Sequence, residues 1–200
     1  MVSTLDLFLS FHLTNNKDIF GFMKNTQQGA DILANILGAR VAMPDFFKGK
    51  PWELSKFPPP DGKEFMNWLG QYQWPYVEPI LIKTIAFLRQ DGAKRFGLYG
   101  FCWGGKMAVK STQYVGAAAM IHPAFVEVSD ADGVVAPLCV IDSKDENKDT
   151  IDKFVEELKK KPFGDKIVRK RYDMFHGFCA GRANYKDEDN ATEANKVPSL

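Results

Sequence analysis

The chain has 200 residues, of which 45% are hydrophobic and 26% are charged, and these values are typical of one globular domain. Lys and Arg total 26 while Asp and Glu total 25, so the formal net charge is +1. A nearly neutral chain has no strong positive field, which excludes nucleic acid and anionic membranes as expected partners. We therefore predict a single domain over residues 1–200.

The cysteines and histidines limit the chemistry further. Cys102, Cys139 and Cys179 form no CxxC pair and cannot all be joined in disulfides, which favours free thiols and a cytoplasmic location. The three histidines lie far apart in the chain, so no metal site is predicted, and no cofactor is expected. The apolar patch at residues 7–13 has no basic segment before it, and no apolar run reaches 18 residues, so neither a signal peptide nor a membrane span is predicted.

The first half of the chain contains two predicted helices and one strand. Apolar residues at helical spacing end at Gly38, and the following run "ARVAMPD" is typical of a short buried strand. Residues 46–63 are rich in Pro and aromatic side chains and predict an irregular excursion, with core packing as the main role of the aromatic rings. The amphipathic run at 76–92 predicts a helix that begins near Glu78 and Pro79.

Strands and helices alternate in the second half. Strands are predicted at residues 94–100, 116–123, 136–142 and 165–173, and helices at residues 103–113, 147–161 and 185–196. This alternation predicts a parallel sheet with helices on both faces, in which ligands bind beyond the carboxyl ends of the strands. Cys102, Asp145 and His176 each follow a predicted strand, so we expect them to lie at the same edge of the sheet.

The stretch "YGFCWGG" places Cys102 between Gly100 and Gly104, where a strand becomes a helix. The spacing G-x-C-x-G is that of a nucleophile elbow, in which small residues allow a tight turn and the helix start favours a thiolate. A phosphate-binding loop is disfavoured because neither glycine-rich phosphate pattern is satisfied. A packed cysteine and a redox-active thiol remain as alternatives.

A cysteine nucleophile needs a base and an acid that orients the base. His176 lies in a loop after a strand and before a glycine, and it is the candidate base, whereas Pro123 makes His122 more typical of a structural turn. The acid is expected after the strand "APLCVI", where Asp142, Asp145 and Glu146 are candidates. Asp145 is favoured because it lies a few residues into the loop, from which it could bind the Nδ1–H of the histidine.

The motifs "DIFGF", "GARVAMPDFF", "YGFCWGGKMA", "IHPAF", "SKDE" and "HGFCAGR" resemble, in this order, the dienelactone hydrolase family of α/β-hydrolases, and their wording is nearest to fungal members. The resemblance runs from Asp18 to about Arg182. It implies that Cys102 is the nucleophile, Asp145 the acid and His176 the base. It also implies that the carboxylate of Asp18 contacts the nucleophile. The backbone amides of Ile19 and Trp103 would form the oxyanion hole, and Arg182 would bind the substrate.

The family resemblance implies a three-layer α/β-hydrolase sandwich and hydrolysis of a small ester or lactone through a thioester. A monomer or weak homodimer is expected, although the sequence itself leaves the oligomeric state open. The polar run from Thr14 to Lys17 directly precedes Asp18, where relatives have an apolar strand. We therefore predict an atypical segment over residues 1–17 and a sheet shortened at that edge. The alternative is a non-catalytic or thiol-sensing protein that keeps the fold but has an impaired oxyanion hole.

Overall fold

The computed structural model describes residues 11–197, which contain one six-stranded sheet. All strand pairs are parallel, and the strand order is β2-β1-β3-β4-β5-β6. The strands are β1 (Phe11–Asn16), β2 (Arg40–Ala42), β3 (Arg95–Phe101), β4 (Ala117–Ile121), β5 (Leu138–Asp142) and β6 (Val168–Arg171). The parallel sheet predicted from the sequence is therefore confirmed.

Helices cover both faces of this sheet. The α-helices are α1 (Lys24–Leu37), α2 (Gly62–Leu69), α3 (Trp74–Gln90), α4 (Trp103–Lys110), α5 (Lys148–Lys159) and α6 (Glu188–Lys196). Side chains of α3, α4 and α5 form one core with the sheet, and side chains of α1 and α6 pack against the opposite face. This is the predicted three-layer sandwich. Among residues 11–197, no helix is both long and apolar enough to cross a membrane.

The end of helix α1 and the start of helix α3 can be compared with their predicted positions. Helix α1 ends where expected, because Gly38 adopts a left-handed conformation with φ 57° that a side chain would strain. Helix α3 begins at Trp74, four residues before the predicted start at Glu78. Pro75 occupies its first turn, where no intrahelical N–H is needed, and Pro79 is tolerated inside the helix beside the buried Val77.

The polar strand β1 lies inside the sheet, between β2 and β3. Its register with β3 runs from Phe11 opposite Arg95 to Asn16 opposite Gly100. Thr14, Asn15 and Asn16 are fully buried, so the backbone ladder forms here despite polar side chains. The predicted atypical segment falls partly on residues 1–10, which lie outside the described residues. Residues 11–16 form an ordinary parallel strand that leads directly to Asp18.

The aromatic excursion packs beside the start of α4. The ring of Phe47 lies 5.1 Å from that of Trp103 and 4.9 Å from that of Tyr72, measured between centroids. The cluster also contains Phe46, Trp52, Leu69 and Met107. These side chains form a core that fixes the position of Trp103, the residue that follows Cys102.

Candidate active site

Cys102 lies in a sharp turn between the end of β3 and the start of α4. Its backbone has φ 54° and ψ −119°, a conformation that few residues other than glycine adopt. Backbone strain of this kind persists only where the surrounding structure maintains it, and it is concentrated at functional sites. The turn has the strand–turn–helix form of a nucleophile elbow, and the thiol is free and partly exposed.

The glycines around Cys102 are required by close backbone contacts. A Cβ atom on Gly100 would lie 2.0 Å from the carbonyl oxygen of Gly104. A Cβ atom on Gly104 would lie 2.1 Å from the carbonyl oxygen of Asn16. No side chain fits at either position without a backbone shift. The glycine spacing therefore brings the carboxyl end of β1 against the residues that follow Cys102.

His176 lies in the loop after β6, and its ring is held by Glu146. The ring Nδ1 lies 2.7 Å from Oε1 of Glu146. The same Glu146 carboxylate accepts hydrogen bonds from the hydroxyl of Ser143, at 3.0 Å, and from the backbone N–H of Ser143. Because the Glu146 side chain is 6% exposed and fixed by Ser143, it sets the orientation of the imidazole.

The histidine also contacts the candidate nucleophile. Burial alone would lower the pKa of His176, but hydrogen bonds with Cys102 and Glu146 and the negative charges on both partners outweigh it and raise the pKa to about 10. Since Nδ1 faces Glu146, the other ring nitrogen is the one available to Cys102. An imidazole with this pKa is protonated at neutral pH, which is the state that stabilises a neighbouring thiolate.

The other two candidate acids bind different groups. Oδ2 of Asp145 accepts a hydrogen bond of 2.7 Å from the backbone N–H of His176, so Asp145 holds the main chain and not the ring. Asp142 is fully buried, and its carboxylate binds the guanidinium groups of Arg169, at 3.0 Å, and Arg171, at 2.5 Å. The carboxylate at the ring is therefore Glu146 and not Asp145, the acid that the sequence favoured among the three candidates.

The backbone amides of Ile19 and Trp103 are the predicted oxyanion-hole donors. Within residues 11–197, neither N–H donates a hydrogen bond to another group of the protein. Gly104 touches the end of β1, and this contact brings the segment containing Ile19 to the side of Trp103. The oxyanion hole that the resemblance implied at these two amides stays a prediction.

The carboxylate of Asp18 fixes the Ile19 segment. Oδ1 accepts a hydrogen bond from the amide of Phe20 at 3.0 Å, and Oδ2 accepts one from the amide of Gly181 at 2.7 Å. Burial raises the pKa of Asp18 to about 6, although these two hydrogen bonds oppose the shift. No hydrogen bond between Asp18 and Cys102 is present among the described residues. Asp18 instead links the segment that contains Phe20 to the loop that contains Gly181.

The comparisons with known proteins identify the family of this chain. A model of the dienelactone hydrolase family matches residues 16–198. The chain belongs to the dienelactone hydrolase family. It is similar to an uncharacterized AIM2 family protein of Schizosaccharomyces pombe, with 34% identity over 182 residues that cover 86% of this chain and 72% of the relative.

Two further matches extend this family assignment. The mouse carboxymethylenebutenolidase homolog is 37% identical over 92 residues, which cover 44% of this chain and 36% of that protein. A solved structure from Klebsiella pneumoniae, provisionally described as a dienelactone hydrolase, has a TM-score of 0.74 at 18% identity and covers 94% of this chain and 84% of its own. The structural match shows the α/β-hydrolase fold, and the family is one of hydrolases.

Arg182 of this family member lies against the loop that carries His176. Its Nη1 donates a hydrogen bond of 2.7 Å to the carbonyl oxygen of His176. The guanidinium group also lies 4.6 Å from the ring centroid of Phe57 and 5.6 Å from that of Phe175. The remaining N–H groups of Arg182 have no acceptor among the described residues, so they are available to an anion.

His122 is a part of the site whose position the sequence left open. Its ring lies 4.9 Å from the ring of His176 in an edge-to-face arrangement, and it stacks on Phe101. Complete burial, followed by the nearby charge of His176, lowers the pKa of His122 well below its usual value. The neutral His122 ring thus packs edge-to-face against the ring of His176. Its position directly after a strand, like that of Cys102, was the available signal in the sequence.

A small cavity of about 260 Å³ opens beside His176. Its walls come from the loop after β4, including Phe125, and from the acidic loop that contains Asp145 and Glu146. Lys106 of α4 fixes the first wall, because its Nζ donates hydrogen bonds to the carbonyl oxygen of Phe125, at 2.9 Å, and to Asp130, at 2.5 Å. Cys102, Trp103 and Arg182 are not among the described lining residues, so this cavity borders His176 but not the candidate nucleophile.

Proposed function

We propose that this protein hydrolyses a small ester or lactone through a covalent thioester on Cys102. The observation that carries the proposal is the continuous chain of contacts from Cys102 to His176 and from His176 to Glu146. A nucleophile, a base and an orienting carboxylate in this order are the parts of a catalytic triad. The strained turn at Cys102 supports the same function.

The reaction begins with the thiolate of Cys102 and the protonated imidazole of His176. Sγ attacks the carbonyl carbon, and the electron pair of the C=O bond moves to the oxygen. The amides of Ile19 and Trp103 donate to this oxyanion, and loss of one such donor typically lowers the rate about 10²- to 10³-fold. The tetrahedral species then expels the alkoxide, which takes the proton from His176, and a thioester remains on Cys102.

Hydrolysis of the thioester restores the enzyme. The neutral His176 removes a proton from water, and the hydroxide attacks the thioester carbonyl. The Cys102 thiolate leaves, and His176 carries the proton that restores the ion pair. Glu146 keeps the imidazole in the required orientation through both half-reactions. When the substrate is a lactone, the alkoxide stays attached to the acyl group, so one ring-opened acid is the product.

Two observations favour a substrate that carries a carboxylate. Arg182 presents unpaired N–H groups near His176, and Arg binds carboxylates through two parallel hydrogen bonds. The name of the mouse relative also denotes a carboxylate-bearing butenolide, which is a lactone. We therefore propose carboxylate-bearing lactones as the substrate class.

The thiol-sensing alternative depended on an impaired oxyanion hole. Strand β1 leads directly to Asp18, and Asp18 accepts a hydrogen bond from the amide of Gly181. Because these contacts hold the Ile19 segment in place, they favour hydrolysis over thiol sensing. Three free cysteines fit a reducing compartment, and we propose the cytoplasm as the location.

The test compares ester hydrolysis by the wild type, Cys102→Ala, His176→Ala and the control Cys139→Ala. We expect turnover of p-nitrophenyl acetate and of a dienelactone by the wild type and by Cys139→Ala. Cys102→Ala and His176→Ala should lose at least about 10²-fold in kcat/KM because each lacks a group that reacts directly. Equal turnover by all four proteins would refute the triad, and trapping of an acyl group on Cys102 by mass spectrometry would support the thioester.

A further inference from the structure

The turn that follows strand β4 contacts both the candidate nucleophile and the candidate base. The strand ends at Ile121, whose carbonyl oxygen accepts a hydrogen bond of 3.1 Å from the backbone N–H of Cys102. The backbone N–H of Ala124 donates a hydrogen bond of 3.0 Å to the carbonyl oxygen of Cys102. The N–H and the carbonyl of the nucleophile are therefore both bound by close neighbours of His122, the first residue of this turn.

The side chain of His122 extends the contacts of the turn to the base. Its ring centroid lies 4.9 Å from that of His176, and 5.5 Å from that of Phe101, the residue before Cys102. The ring of Phe178, two residues after His176, lies 5.9 Å away. The ring of His122 thus connects the strand that leads to Cys102 with the loop that carries His176.

The backbone of His122 has an uncommon conformation. Its φ is 35°, and a residue other than glycine keeps a positive φ only where the surrounding structure maintains it. The N–H of His122 donates a hydrogen bond of 2.6 Å to the carbonyl oxygen of Ile141 on β5, and the residue is 0% exposed. Because the backbone is fixed and the side chain is close-packed, the ring cannot move away from His176 without opening the core.

The contact between the two histidines depends on the shape of the His122 ring. Neither nitrogen of this ring has a hydrogen-bond partner among residues 11–197. Burial of a polar ring without partners is less favourable than burial of an apolar ring of the same shape. A phenyl ring should therefore fill the same position, whereas removal of the ring leaves a space beside His176 into which the imidazole can turn.

We propose that His122 is a positioning residue that holds the imidazole of His176 at the thiol of Cys102. The turn fixes the main chain of Cys102, and the ring fixes the imidazole, so one turn sets the separation of the pair. The role in catalysis rests on the proposed function, since ester hydrolysis is the reaction that the pair would perform. The positioning itself can be measured without a substrate.

Substitutions that keep or remove the ring are compared by kcat/KM for p-nitrophenyl acetate. His122→Ala should lower kcat/KM by about 10- to 10²-fold, because a small misplacement of a catalytic group has an effect of this size. His122→Phe restores a planar ring and should stay within about threefold of the wild type. Val155→Ala controls for loss of buried apolar volume and should leave kcat/KM unchanged, because Val155 packs in the core of α3, α4 and α5.

Alkylation of Cys102 by iodoacetamide measures the same contact without a substrate. The thiolate is the reactive form, and a protonated imidazole beside a thiol raises the thiolate fraction at low pH. The ratio of the alkylation rates at pH 6 and pH 9 should fall about tenfold in His122→Ala and should be retained in His122→Phe and Val155→Ala. Mass spectrometry identifies the modified cysteine.

The other titratable and charged groups around the two histidines are the same in every variant. They come from three further loops of the site: Glu146 after β5, Asp18 after β1 and Arg182 after β6. A change in the alkylation ratio therefore reports the position of the His176 imidazole and not the loss of a neighbouring charge.

Two results would overturn the proposal. One is a folded His122→Ala protein with the kcat/KM and the alkylation ratio of the wild type. The other is a folded His122→Phe protein with losses as large as those of His122→Ala, since a ring nitrogen and not the shape of the ring would then be required.

His122→Leu covers the case in which His122→Ala does not fold, because leucine fills the space without a planar ring. We expect a loss of at least about fivefold in the alkylation ratio, and equal ratios for His122→Leu and His122→Phe would refute the positioning role. A wild type that hydrolyses neither p-nitrophenyl acetate nor a dienelactone, but shows the expected alkylation ratios, would refute the proposed function and support the positioning of His176.

Discussion

The carboxylate of Glu146 lies 2.7 Å from Nδ1 of His176, while that of the preceding residue, Asp145, binds the backbone N–H of the same histidine, also at 2.7 Å. Two consecutive acids thus hold one histidine by different groups. Glu146 controls the orientation and charge of the ring, and Asp145 controls the position of the main chain. This division of roles gives the two residues distinct phenotypes.

Glu146→Gln should reduce kcat/KM for p-nitrophenyl acetate by about 10²-fold or more, because the ring loses the acceptor that orients it. Glu146 is also among the groups that raise the pKa of His176 to about 10. The substitution should lower this pKa, so activity that needs the protonated imidazole should be lost at a lower pH than in the wild type. The measurement is the pH dependence of kcat/KM.

Asp145→Asn is the matched comparison, and we expect a loss of about tenfold or less, with the alkaline limb of the pH profile unchanged. Glu157→Gln, on the exposed side of α5, controls for removal of a surface charge. A large loss and a shifted alkaline limb in Asp145→Asn, together with a near-normal Glu146→Gln, would show that Asp145 reaches the ring in the working enzyme.

We expect the buried Asp18 to make the folded protein less stable as the pH rises from about 4 to about 6. The pKa of its carboxyl group is 3.8 in the unfolded reference and about 6 in the fold, because burial disfavours the charged form. Between these values the folded state binds more protons, so the free energy of unfolding falls as the pH increases. A shift of about two pKa units corresponds to about 3 kcal/mol, fully expressed above about pH 6.

Asp18→Asn removes this titration. The free energy of unfolding of the variant should rise relative to the wild type by about 3 kcal/mol between about pH 3.5 and about pH 7, measured in urea. Any hydrogen bond lost to Phe20 or Gly181 adds an offset that does not depend on pH. Asp132→Asn, an exposed position, should show no such trend. A pH-independent difference between Asp18→Asn and the wild type would contradict the buried, shifted carboxyl group.

Gly104 and Gly29 should respond oppositely to alanine. At Gly104 the new Cβ would lie 2.1 Å from the carbonyl oxygen of Asn16, so β1 and α4 must separate and the Ile19 amide must move. We expect Gly104→Ala to lower the free energy of unfolding by about 2 kcal/mol or more and to abolish ester hydrolysis. Gly29 lies inside α1, where an added Cβ atom would meet no other atom within 4 Å, so Gly29→Ala should stabilise the protein by about 0.5–1 kcal/mol. Chemical denaturation measures both, and stabilisation by Gly104→Ala would be inconsistent with the close contact.

Arg182→Met should discriminate between substrates with and without a carboxylate. The variant loses the hydrogen bond to the carbonyl oxygen of His176, so some loss of kcat is expected for every substrate. The additional effect should be an increase in KM of about tenfold or more for a carboxylate-bearing lactone, relative to its methyl ester, because a charge-assisted pair is lost. A KM that changes equally for acid and ester would refute a carboxylate-binding role while leaving the triad intact.

Local rules in the sequence predicted much of this molecule. The alternation of strands and helices indicated the order of the elements, and Gly100 indicated a tight turn at Cys102 because its steric constraint comes from Gly104 in the same turn, whereas Gly104 is constrained by the distant Asn16. A signal against Asp142 was also present. Arg169 and Arg171 alternate along β6, and Arg171 lies opposite Asp142 in the register, so the two arginines share the face of the buried carboxylate.

Other features depend on contacts that no local pattern encodes. Asp145 and Glu146 are adjacent, and which of them reaches a ring 30 residues away is decided by the turn at Ser143, whose hydroxyl and amide bind Glu146. Strand β1 has polar side chains, but its backbone ladder with β2 and β3 holds it in the sheet.

The hydrogen bond between Asp18 and Gly181 joins residues that are 163 positions apart. Because His176 and Gly181 both follow Cys102 in the chain, a ribosome must synthesise residues up to Gly181 before that residue can bind Asp18 and before the thiol of Cys102 can meet the imidazole of His176. During synthesis, Cys102 therefore emerges as an ordinary thiol without its base. The order of translation thus separates the appearance of Cys102 from the appearance of the residues that surround it in the fold.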